Sequence, residues 1–154
     1  MTDERTYQEQ VLADVKEKTG ITEYEVSIIL KVLDKIKEPL PSTLSGAQNK
    51  VSAMDAMRPT LLNLIYYINN LCIKAEKSYY SRYSNEYRRI NKTSNTRVTK
   101  DSVTAEILAK DDIAELKEKW DYLEQVKWLL VGYQKSFDQA RLSTIERWHD
   151  NRRV

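Results

Sequence analysis

The sequence predicts an all-α protein: an N-terminal helical hairpin followed by a long antiparallel helical pair, assembling as a helical oligomer. Only three glycines and three prolines interrupt 154 residues. Ala, Leu, Glu, Lys and Gln are plentiful, a usage that favours helix over sheet. Apolar residues recur at spacings of three and four, the period of one helix face. The length suits one domain with a sizeable core, or a bundle with a small appended module.

Residues 6–19 form the first predicted helix. Val11, Leu12 and Val15 share a face, and Gly20 supplies a left-handed stop. Thr22 and Glu25 then stand at capping-box spacing, each able to satisfy an amide at the start of the next helix. Val26, Ile29, Leu30, Leu33 and Ile36 form its apolar stripe, and Pro39 and Pro41 end it. Residues 1–38 therefore read as the hairpin. Residues 14–36 resemble the opening helical pair of bacterial histone-like proteins of the HU class, a likeness that any helical hairpin would share and that includes no β-arms. A DNA-reading second helix would need exposed Arg, Asn or Gln near its start. Glu23, Tyr24 and Glu25 stand there instead, and two carboxylates oppose phosphate.

Residues 39–51, PLPSTLSGAQNKV, have linker composition and mark a boundary, with 52–154 as the long-helix domain. Ser52 and Asp55 repeat the cap pattern, and Pro59 either starts or kinks the helix that follows. Met54, Met57, Leu61, Leu64, Ile68, Leu71 and Ala75 form a seam for a partner helix. This helix is expected to run on through Tyr79, Tyr83 and Ile90. The polar, β-branched stretch 90–102 breaks the period and predicts a mobile loop.

The last predicted helix spans 104–149. Ile113, Leu116, Trp120, Leu123, Leu130, Phe137 and Trp148 lie along one face. A 3.6-residue period adds Val126, Tyr133 and Ala140, where a strict heptad would select Lys127, Gln134 and Arg141, so little supercoiling is expected. At 1.5 Å per residue the helix is about 65–70 Å long, longer than any partner predicted in the chain. Trp120, Leu123, Leu130 and Phe137 are therefore expected at an oligomer interface.

Charge is unevenly placed. The chain carries +2 overall, and residues 1–40 carry −3 from six basic and nine acidic residues. Residues 74–100 hold eight basic residues (Lys74, Lys77, Arg82, Arg88, Arg89, Lys92, Arg97 and Lys100) against Glu76 and Glu86, a local +6. Tyr79, Tyr80, Tyr83 and Tyr87 are interleaved with them. Cations that follow phosphates, with aromatic faces for unstacked bases, are what a single-stranded nucleic acid requires. The same pattern also fits a helix with a solvated basic face and tyrosines turned into a core. Tyr79 continues the apolar stripe, whereas Tyr80 and Tyr87 fall off it and are expected to be exposed.

The chemistry of catalysis is thinly represented. With one His, His149, and one Cys, Cys72, a zinc site would rest on carboxylates, against that metal's preference for N and S ligands. The glycines at 20, 46 and 132 are too scattered for a phosphate-cradling loop. No metal, no cofactor and no enzymatic activity are expected. Neither a membrane span nor a signal peptide is legible, so the expected location is the cytoplasm.

The second half has a definite order: Lys74-Ala75-x-x-x-Tyr79-Tyr80-Ser81, a basic polar loop, Ile107-Leu108-x-x-Asp111-Asp112, then Leu123 to Leu130. Phe137-Asp138-x-Ala140 and Arg141-x-x-x-Ile145 follow. This resembles the UvsY recombination mediator proteins of tailed bacteriophages over about half the chain. Arg82-Tyr83 stands where that family usually has a glycine, and the N-terminal hairpin has no counterpart. The resemblance implies a non-enzymatic protein that forms a homo-oligomeric ring and binds single-stranded DNA. It also implies a role in loading a recombinase onto DNA coated by a single-strand-binding protein, in DNA recombination and repair. Lys74, Tyr79 and Tyr80 match the DNA-binding block; Lys77, Arg82, Tyr83, Tyr87, Arg88, Arg89, Lys92, Arg97 and Lys100 extend it. The rival reading is an all-helical phage structural or head–tail adaptor protein without DNA binding.

Overall fold

The computed structural model describes residues 2–93 and 99–152. Five helices follow in order: α1 (Thr2–Thr19), α2 (Glu23–Lys37), α3 (Leu44–Thr93), α4 (Lys100–Leu108) and α5 (Asp111–Arg152). The protein is all-α, with an N-terminal hairpin and a long antiparallel pair formed by α3 and α5. Two compact units divide it, one comprising residues 1–67 with 126–154 and the other residues 68–125.

In the first unit, Gly20 ends α1 at φ +78°, a left-handed conformation that costs glycine little. The capping box forms in full: Glu25 N–H donates to Thr22 Oγ1 at 3.1 Å, and Thr22 N–H donates to Glu25 Oε1 at 3.0 Å. Arg5–Asp34 at 3.1 Å and Lys37–Glu4 at 2.9 Å join α1 to α2. Ile28 and Val32 of α2, Met54 and Leu61 of α3, and Phe137 of α5 form the core. Tyr67 donates its hydroxyl to the Thr19 carbonyl at 2.7 Å, fixing the end of α1 to α3. Arg141 and Asp55 pair at 2.7 Å, and Arg58 and Asp138 at 3.4 Å.

The expected linker 39–51 is corrected by the start of α3 at Leu44. Thr43 Oγ1 accepts the Gly46 N–H at 3.0 Å in place of the cap expected at Ser52. Ala47 and Val51 are buried, and Lys50 donates to the Glu38 carbonyl at 3.2 Å beyond α2. Burial pushes the Lys50 amine below its usual pKa, with Glu38 acting the other way. Ser52 and Asp55 lie inside α3, and so does Pro59. Gly132 lies inside α5, and a Cβ there would meet nothing within 4 Å.

In the second unit, Tyr79 and Ile90 of α3 meet Val103 and Ile107 of α4 and Ile113 of α5; Tyr83, Leu116 and Trp120 pack against this cluster. The single helix expected over 104–149 is broken at Ala109–Lys110, where the Lys110 N–H turns to the Ile107 carbonyl at 3.1 Å. The expected loop 90–102 is also narrower. α3 continues to Thr93, and Thr99 Oγ1 caps α4 by accepting from Ser102 N–H at 3.2 Å. The remainder of that loop, residues 94–98, lies outside the described residues.

Candidate nucleic-acid interface

The basic segment is divided by one carboxylate. Glu86 occupies the buried line of α3, in step with Tyr79 and Ile90, and is only 3% exposed. Arg89 donates to it through Nε at 2.8 Å, Arg82 through Nη1 at 3.0 Å, and Lys110 pairs with it at 3.1 Å. A charge so enclosed is tolerated because its acceptors are filled by cations. The Arg89 contact, reinforced by Arg82 and Lys110, holds the Glu86 carboxyl down at about 2 against the opposing effect of burial. Arg82 also donates from Nε to Asp112 at 2.7 Å, which lowers the Asp112 pKa; Glu86, and after it Asp112, raise that of Arg82.

Arg82 and Arg89 are thus committed to carboxylates of the protein itself, although Arg89 stays half in solvent. Lys74, Lys77, Arg88 and Lys92 are exposed on the outer side of α3 with no ion pair among the described residues, and Lys100 is exposed at the start of α4. Arg97 lies outside the described residues.

The tyrosines also separate. Tyr79 is buried, 5.2 Å from the Tyr80 ring, 5.9 Å from Tyr83 and 5.6 Å from Trp120. Its ring has no free face for a base, and burial raises its pKa. Tyr83 is half-buried, its hydroxyl hydrogen-bonded with Thr104 at 3.1 Å. Tyr80 and Tyr87 are exposed, at 50% and 37%. The exposed candidates that remain on α3 are Lys74, Lys77, Tyr80, Tyr87, Arg88 and Lys92.

The expected oligomer face is placed differently. Leu123, Leu130 and Phe137 are buried within the single chain. Phe137 packs with Ile28 and Val32 of α2 as well as Met54 and Leu61 of α3, so the hairpin and α3 together cover apolar face that was expected to need another subunit. Trp120 is half-buried, set edge-on to Tyr80 at 5.6 Å, with the Lys117 ammonium 4.4 Å from its ring centroid. Sequence reasoning missed Lys110 and the organising role of Glu86. A carboxylate on an apolar line, four residues after one arginine and three before another, is the signal that could have found it.

Elsewhere, a groove of 740 Å³ between α1 and α2 is lined by Ala13, Ile21, Val26 and Leu30 with Glu9, Lys16, Glu17 and Glu23. Lys16 is tied to Glu23 at 2.6 Å and Glu9 to Arg5 at 3.1 Å, so much of its charge is already compensated. Among the described residues no group of three or more His, Cys, Asp or Glu is placed to hold a metal ion, and no helix is long and apolar enough to cross a membrane. No protein-family model, curated protein or solved structure matches the chain.

Proposed function

We propose that this protein is a non-enzymatic single-stranded DNA-binding recombination mediator that works in the cytoplasm. The observation that carries the binding half is the outer face of α3, where four cations with no ion pair among the described residues accompany the exposed rings of Tyr80 and Tyr87. Cations supply counterion release, and the rings supply stacking that any base can use. The mediator role, with a recombinase and a single-strand-binding protein as partners, rests on the resemblance of the Lys74–Ser81 and Ile107–Asp112 blocks.

A homo-oligomeric ring is part of that reading, and its contacts fall to residues outside the core. Trp128, 61% exposed, and Leu142, 48% exposed, stand on α5 two heptads apart and suit that task. The same pair favours the second reading, a helical phage structural or head–tail adaptor that docks protein alone. Fluorescence anisotropy with labelled oligo-dT and duplex DNA, beside a native mass, separates the two. Salt-sensitive binding that prefers the single strand supports the mediator; an oligomer indifferent to DNA supports the adaptor.

A further inference from the structure

The outer side of α3 between Ile73 and Lys92 has two edges of different chemistry. At 3.6 residues per turn, Lys74, Lys77, Arg88 and Lys92 fall within an arc of about 60°. Ile73, Tyr80 and Tyr87 recur every seven residues and fall within about 40°, centred roughly 90° around the helix from the cations. All seven side chains are exposed. Tyr80 is already braced, its ring edge-on to Tyr79 at 5.2 Å and to Trp120 at 5.6 Å, so offering its open face to a base loses little rotamer freedom.

We infer that a single strand lies along α3 with its phosphates over the Lys77–Arg88 edge and its bases turned onto Tyr80 and Tyr87, Ile73 adding an apolar wedge. This rests on the nucleic-acid reading above and gives it an orientation. A duplex presents phosphates but keeps its bases paired inside, so it engages the cationic edge alone. A second copy laid face to face on this side would set the same cations against each other, which disfavours self-association here.

The test is a cycle between protein rings and DNA bases. Wild type, Tyr80→Ala/Tyr87→Ala and Tyr80→Phe/Tyr87→Phe are titrated with a labelled oligo-dA 12-mer and with an abasic 12-mer of the same phosphates. Both tyrosines are exposed, so circular dichroism should show the variants folded. For the alanine variant the expected loss on oligo-dA is about fivefold to a hundredfold per ring removed. On the abasic strand the loss should be less than about twofold, and the phenylalanine variant should bind oligo-dA like wild type. Equal losses on both strands, or no loss on either, overturn the orientation while leaving nucleic-acid binding intact. Failure of the wild type to bind either strand overturns the nucleic-acid reading itself.

Discussion

Arg82 on α3 and Asp112 in the first turn of α5 lie 30 residues apart in the chain and 2.7 Å apart in space. With Nη1 on Glu86 of its own helix and Nε on Asp112, Arg82 spends its charge within the protein and ties α3 to α5. The cationic segment therefore contains two populations, and variants should tell them apart.

Arg88 and Arg89 are neighbours with opposite expected roles. Arg88→Ala should flatten the dependence of log affinity on log salt by about 0.7 for a single strand, whereas Arg89→Ala should change it much less. With Lys74, Lys77, Arg88 and Lys92 all engaged, the wild-type slope should be near −3, or roughly four contacts at −0.7 each. Anisotropy titrations of oligo-dT across a salt series measure both. Identical flattening by the two variants would mean that Glu86 does not retain Arg89 in solution.

Glu86→Gln should act on folding and binding in opposite senses. Removing the carboxylate leaves Arg82, Arg89 and Lys110 facing one another, so the variant should melt earlier than Glu76→Gln, whose parent side chain is exposed. Asp112 still holds Arg82, so the release of Arg89 should steepen the salt slope by about 0.7. Thermal melts and the same titrations read the two effects, and a variant as stable as wild type with an unchanged slope would refute both.

The Glu86 carboxyl is held at about 2, below its ordinary 4.5. A lowered folded-state pKa means that its stabilising contribution is complete above about pH 4.5 and is lost as pH falls towards 2. Asp112, lowered by Arg82, acts in the same direction. Urea denaturation from pH 5 to pH 2 should show declining stability, and Glu86→Gln should flatten that decline. A wild-type profile parallel to that of the variant would show that Glu86 does not carry it.

Phe137 is fully buried, and Trp128 is largely in solvent. Phe137→Ala should cost ~3–5 kcal/mol of stability. Trp128→Ala should change it by less than about 0.5 kcal/mol. Leu130→Asp places a charge in a core position and should unfold the chain rather than dissociate an assembly. Denaturant melts together with light scattering distinguish these outcomes. A folded Leu130→Asp monomer derived from a wild-type oligomer would restore Leu130 to a subunit interface.

Local signals in the chain were legible where one residue type has one physical job. Gly20, Thr22 and Glu25 announced the turn between α1 and α2, and the exposure of Tyr80 and Tyr87 followed from their angle to the Ala75–Tyr79 line. The start of α3 was hidden because Thr43 caps it with Gly46, not an acid, at the third position, among residues that otherwise read as linker. No Pro or Gly marks the break at Ala109–Lys110. Counting charges along the segment could not reveal that Arg82 and Lys110 are drawn inward, since their partners Asp112 and Glu86 lie 24 or more residues away. The long-helix face was legible, but its cover by Ile28 and Val32 of α2 was not, because the periodicity of one helix does not name its neighbours.

Gly132 has one practical consequence. Because a Cβ at that position meets nothing within 4 Å and the only cysteine, Cys72, is buried, Gly132→Cys gives a single outward thiol. Maleimide dyes should react there far faster than at Cys72, so the natural cysteine need not be removed first. The site lies on α5, away in sequence from the cationic stretch of α3, and exchanging Gly for Cys inside a helix favours the helical state by a few tenths of a kcal/mol or more. A fluorophore at position 132 therefore offers a reporter of assembly that leaves the exposed cations and tyrosines of α3 chemically untouched.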